Sequence, residues 1–186
     1  MRLFIAVDIK EEVKNKIARI RSALKKNCDC VKWVSSENLH LTLKFLGEVH
    51  NSRKDLISEK LRQAVIGIKR FEIDFEKIGV FPSEAAPRIL WLGIGEGKIE
   101  LENLAQKIEN LFTEIDFKRE KRPFSAHFTL GRFKSPQNNK KLFDIVKKIT
   151  IEKISDVVED VYLIKSTLSP RGPIYEIVEK FRLDEK

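Results

Sequence analysis

Asn38-Leu-His40-Leu-Thr42-Leu-Lys-Phe-Leu46 and Ser125-Ala-His127-Phe-Thr129-Leu-Gly-Arg-Phe133 are two copies of one pattern. Each sets His-x-Thr-Leu inside an alternating apolar stretch, the period of a half-buried strand. The copies stand nearly half a chain length apart, and each is followed by a polar stretch and a helix-spaced apolar pattern. A half-length repeat predicts two similar lobes, and a pseudo-twofold axis between them would bring the motifs face to face. Strand parity puts His40 and Thr42 on one face, with Leu39, Leu41, Leu43 and Phe45 on the other. His127 and Thr129 likewise oppose Ala126, Phe128 and Leu130. Arg132 follows the second motif. Strict alternation turns it away from His127, and a bulge at Gly131 would re-aim it.

Working outward, residues 2–8, 31–34, 39–46, 71–75, 88–94, 126–133, 157–166 and 174–183 read as strands. Helical spacing marks 10–26, Ile57 to Ile68, Leu101 to Leu111 and Leu142 to Ile149. Strands and helices mix without strict parallel alternation. The expected fold is therefore α+β, a bilobal duplicated unit spanning 1–186, with mainly antiparallel sheets lining a central groove and helices packed outside. No linker is long enough to separate independent domains.

Composition narrows the function. No apolar run approaches the ~20 residues of a membrane span, and the first residues lack the features of a signal peptide, so a cytoplasmic protein is expected. A net charge of +8 favours a polyanionic partner such as RNA. Charged residues reach 34%, against about 25% in ordinary domains. Lys and Glu dominate them, as in hyperthermophile proteins. Cys28 and Cys30 make a poor zinc site without a second cluster, and two separate thiols are expected. Trp33, Trp91, Phe81 and Phe124 read as core residues by default, with base stacking or a place on the groove rim as the alternative. His50, in a polar loop, is expected to be exposed and non-catalytic. The Lys pairs along the predicted helices read as solvated.

Two imidazoles and two hydroxyls in one cleft suit phosphodiester chemistry. A neutral imidazole takes a proton from attacking water, a protonated one gives a proton to the departing sugar oxygen, and the hydroxyls hold the non-bridging oxygens. Neither a metal nor a cofactor is required. The two halves are too alike for these residues alone to say which histidine is the acid.

At these residues the chain resembles the 2H phosphoesterase superfamily, named for paired His-x-Thr motifs. More closely it resembles the RNA 2′,3′-cyclic phosphodiesterase branch, historically called 2′-5′ RNA ligases. The resemblance runs through Met1-Arg-Leu-Phe-Ile-Ala-Val7, Trp33-Val34, Glu37 to Glu48, Arg88 to Gly93, His127 to Arg132 and Leu168-Ser-Pro-Arg-Gly-Pro-Ile-Tyr175. It implies a V-shaped groove and hydrolysis of a 2′,3′-cyclic phosphate to a 2′-phosphomonoester. It also implies His40 as proton donor, His127 as proton acceptor, and Thr42, Thr129 and Arg132 as phosphate-binding residues. The expected partner is RNA with a 2′,3′-cyclic phosphate end, tRNA halves being the family's ligation substrates, and the expected state is a monomer with no obligate protein partner. Two other readings stay open on the sequence: a non-catalytic module that captures RNA ends, and a phosphodiesterase acting on small cyclic nucleotides.

Overall fold

The computed structural model describes residues 1–26, 28–135, 140–151, 153–170 and 172–185, with the Lys141 side chain outside the description. The elements run β1 (Arg2–Val7), α1 (Glu11–Lys25), β2 (Val31–Trp33), β3 (Leu41–Glu48), α2 (Lys54–Val65), β4 (Phe71–Phe81), β5 (Ile89–Ile94) and α3 (Lys98–Thr113). They continue with β6 (His127–Phe133), α4 (Lys140–Val146), β7 (Ser155–Val158), β8 (Asp160–Ser169) and β9 (Gly172–Arg182).

The strands form two antiparallel sheets, so the fold is α+β as the pattern predicts. One sheet has the order β3-β1-β8-β9, the other β2-β6-β5-β4-β7. Starting from the strand that carries or follows each histidine, the two orders match: β3-β1-β8-β9 corresponds to β6-β5-β4-β7. β2 is added outside β6. In each half a strand, a helix and the motif strand follow in sequence, and the strand before the helix pairs with the motif strand. This is the duplication seen in the sequence, expressed as topology.

One face of each sheet packs against helices. Leu3, Ile5 and Val7 of β1, Leu90 and Leu92 of β5, and Phe128 and Leu130 of β6 are buried. They share one core with Ile17 and Leu24 of α1, Ile57 and Leu61 of α2, and Leu104, Ile108 and Phe112 of α3. The opposite face of the first sheet carries a smaller cluster, Phe4, Ala6 and Ile164, against which Tyr162 and Tyr175 pack.

Residues 157–166, expected as one strand, are split at Glu159. Residues up to Val158 pair with β4 in one sheet, and Asp160 onward pairs with β1 in the other. No Gly, Pro or Asn marks the switch at Glu159, so the sequence does not reveal the change of partner. Two buried aspartates fix the crossing. Asp156 accepts the Lys10 N–H at 2.6 Å, and Asp160 is paired with Lys180 at 2.9 Å and Arg182 at 3.2 Å. Cys28 and Cys30, expected as separate thiols, are joined as a disulfide, because a turn at Asp29-Cys30 brings their Cα atoms to 5.2 Å.

Phe45 is a second correction. It was expected on the buried face, yet it is 58% exposed, while Lys44 is 2% exposed. The register explains the reversal. Ala6 pairs with Thr42 and Ile5 with Lys44, so Leu43 is an extra residue and parity flips beyond it. The second motif strand has the equivalent bulge: Trp91 pairs with Thr129 and Leu90 with Gly131, leaving Leu130 extra. Both bulges therefore fall at the same distance from their histidine.

Candidate active site

His40 stands just before β3 and His127 opens β6. Both rings are tied down the same way. Nδ1 of His40 lies 2.8 Å from the Asn38 carbonyl oxygen, and Nδ1 of His127 lies 2.6 Å from that of Ser125. A carbonyl only accepts, so each Nδ1 carries the proton and donates it, leaving Nε2 as the chemically available nitrogen. The partner is the residue two positions earlier in both cases, which makes the anchor a property of the repeat.

Each ring also rests on aromatics. His40 lies 4.8 Å from Phe4 and 5.1 Å from Tyr175 between ring centroids. His127 lies 5.1 Å from Phe81 and 6.4 Å from Trp91. Trp91 stacks on Phe81 at 5.0 Å. Its indole lies across Gly79 and Gly93, where an added Cβ would overlap the ring. Trp91 and Phe81 thus belong to the groove wall around His127, not to the core where their default reading put them. Trp33 and Phe124 pack against the core.

This partial burial disfavours the charged imidazoles. Burial lowers the His40 pKa from its ordinary value to about 4, opposed by the Asn38 carbonyl and the Asp8 carboxylate. Burial also lowers His127, and the positive charge of Arg132 pushes it further the same way. The neighbouring charges differ in sign: a carboxylate faces His40 and a guanidinium faces His127. Asp8 is itself held by Lys14 at 2.9 Å, and Lys14 weakly opposes it at His40.

Thr42 is half-buried opposite Ala6, on the face that carries Phe4 and Tyr162. Thr129 is half-buried opposite Trp91, and Arg132 is exposed opposite Ile89. Ile89 and Trp91 lie two apart on β5, so the bulge at Leu130-Gly131 returns Arg132 to the His127 face. The Arg132 charge is felt at Tyr175, which touches His40, as well as at His127. The two motif strands, β3 and β6, also lie against each other, which brings the motifs to one junction between the sheets. A pocket of about 120 Å³ beside His40 is lined by Asp8, Glu37, Tyr162 and Tyr175 together with Leu39, Ile164 and Ile177.

Gly131 lets β2 lie close against β6. A Cβ there would overlap the Val31 side chain and come within 3.0 Å of the Lys32 carbonyl oxygen in β2. Gly131→Ala should cost about 1–3 kcal/mol through overpacking and raise KM by displacing Arg132. Urea unfolding and steady-state kinetics on the same preparation check both parts.

His50 is exposed and caps a short turn, with Nδ1 2.8 Å from Ser52 Oγ. Among the described residues no group of three or more His, Cys, Asp and Glu is placed to hold a metal ion, and no helix is long and apolar enough to cross a membrane. Sequence reasoning missed Phe4, Phe45, Asp8 and Tyr175 as groove residues. The duplication held a signal for Phe45, since it stands five residues after its histidine just as Arg132 does.

The chain matches the family model described as LigT like phosphoesterase over residues 7–91 and again over 93–175, with one His-x-Thr in each segment. It is 38% identical to the RNA 2′,3′-cyclic phosphodiesterase of Archaeoglobus fulgidus over 182 residues, covering 97% of this chain and 99% of that one. It is 37% identical to the protein of the same name from Methanothermobacter thermautotrophicus, covering 98% and 99%. A crystal structure from Thermus thermophilus superposes with a TM-score of 0.84 at 27% identity, covering 98% of each chain. The structure of Escherichia coli LigT complexed with 3′-AMP superposes with a TM-score of 0.77 at 26% identity, covering 98% of this chain and 97% of that one. With two family matches that together take in most of its length, each carrying one of the paired histidines, this chain belongs to the LigT-like phosphoesterase family.

Proposed function

We propose that this protein hydrolyses RNA 2′,3′-cyclic phosphate ends to 2′-phosphomonoesters without a metal, with His40 as general acid and His127 as general base. The observation that carries the reading is the matched pair of imidazoles, each anchored through Nδ1 and each leaving Nε2 for chemistry in one groove. The relatives' names support the substrate.

Water attacks phosphorus as His127 Nε2 takes its proton. The new P–O bond forms, the P–O3′ bond breaks, and protonated His40 gives its Nε2 proton to O3′. Thr42 and Thr129 donate hydrogen bonds to the non-bridging oxygens, and Arg132 offsets their charge. Exchange with solvent returns a proton to His40 and removes one from His127. Burial lowers both pKa values, His40 to about 4, and against that background the neighbouring charges have opposite signs. Asp8 stabilises an imidazolium at His40, whereas Arg132 disfavours one at His127. A 5′-hydroxyl in place of water would give a 2′-5′ linkage, so the same two groups serve ligation of RNA ends such as tRNA halves, and its reversal. Phe45, exposed on the groove side of β3, offers a face for a base to stack on.

The test is the pH profile. One proton must be shared by the pair, so kcat/KM peaks midway between the two apparent pKa values. Both histidines are shifted down from 6.5, so the kcat/KM optimum should fall below pH 6.5. The bound phosphate anion raises both values, so the kcat optimum should lie higher. A kcat/KM optimum above neutral pH would count against the assignment.

A further inference from the structure

The mechanism uses Arg132 at the reacting phosphate, but the groove holds a second guanidinium with no assigned role. Arg2 opens β1. In the register it pairs with Ser166, which pairs in turn with Tyr175, so the three lie in one row across the groove face of the first sheet. Arg2 is exposed, and among the described residues neither it nor Arg132 makes an ion pair. Glu48, opposite Arg2, reaches the Met1 amino group at 3.7 Å, and Glu176 holds Lys165 at 2.7 Å, while Asp8 and Glu37 line the pocket that Tyr175 shares with His40. Burial raises the Tyr175 pKa, and the Arg132 and Arg2 charges act against that rise. The Tyr175 ring meets the His40 ring at 5.1 Å, so this cationic spot adjoins the reacting centre.

We propose that Arg2 and the Tyr175 hydroxyl form a second phosphate subsite, which holds the phosphodiester one nucleotide upstream of the cyclic end. The inference rests on the reading of this site as a cyclic-end phosphodiesterase and adds a reason for it to prefer an RNA chain over a mononucleotide. Guanidinium and phenol are both donors suited to phosphate oxygens, and contacts to a charged acceptor are the stronger kind.

The test uses two dinucleotides that end in a 2′,3′-cyclic phosphate, one with a natural internal phosphodiester and one with an uncharged methylphosphonate linkage. Wild-type protein should favour the charged linkage by about tenfold or more in kcat/KM, mainly through KM. Arg2→Gln should bring that ratio to near one. Arg19→Gln, an equal loss of charge on the exposed side of α1, should keep it. A wild-type ratio near one, or a ratio that survives Arg2→Gln, would overturn the second subsite while leaving the cyclic-end reading intact. No turnover of either dinucleotide would remove the cyclic-end reading itself, and the subsite with it.

Discussion

His40→Ala and His127→Ala are each expected to lower kcat/KM by about 10²–10⁴ while circular dichroism and melting stay close to wild type. The size of the loss follows from the role, since each variant removes one proton transfer and leaves the threonines and Arg132 in place. Both rings are half-buried against aromatics, so His40→Gln and His127→Gln are useful companions that keep much of the volume without supplying a titrating nitrogen. The two losses should not multiply, because the histidines act as one unit. The pH profiles should also divide. Without His40 the alkaline limb, which reports the acid, should vanish. Without His127 the acidic limb should vanish. Full activity in either alanine variant would remove the paired mechanism.

Glu109→Ala is expected to destabilise the protein by about 3 kcal/mol or more, the lower end of the range for stripping one partner from a buried ion pair. Lys44 is among the largest fully buried side chains, and its Nζ lies 2.7 Å from Glu109 Oε2 on α3 and 3.1 Å from the Lys118 carbonyl oxygen. The other Glu109 oxygen accepts the Glu120 N–H at 3.0 Å. One carboxylate thus ties the first motif strand to the segment leading into the second. Removing it strands an ammonium in the core, whereas Lys44→Met removes the charge and keeps most of the volume, so it should cost much less. For a chain of this size about 3 kcal/mol corresponds to a fall in Tm of roughly 6–12 °C. Equal melting of Glu109→Ala and wild type would show that Lys44 finds water or another partner.

The fold was legible because the duplication carries two kinds of period at once. Alternation at 39–46 and 126–133 named the motif strands, and the helical spacing of Ile57, Leu61 and Ala64 named the face of α2 that packs inward. What alternation could not show was a bulge, since one extra residue reverses every side chain beyond it. Phe45 was misplaced for that reason, and Arg132 could be assigned to the groove only on the condition of a bulge at Gly131. Partner choice is likewise silent where no glycine or proline marks a switch, as the split between Val158 and Asp160 shows. The histidines and threonines were readable because they interrupt apolar strands. Asp8, Phe4 and Tyr175 were not, because each enters the groove through sheet register rather than through a local motif.

The most direct measurement is the product formed from an RNA oligonucleotide ending in a 2′,3′-cyclic phosphate, incubated with the protein in excess chelator. The account predicts turnover that the chelator does not slow and a 2′-phosphomonoester as the sole terminal product, with O3′ as the leaving atom. A 3′-phosphomonoester, or activity that the chelator abolishes and a divalent metal restores, would contradict it.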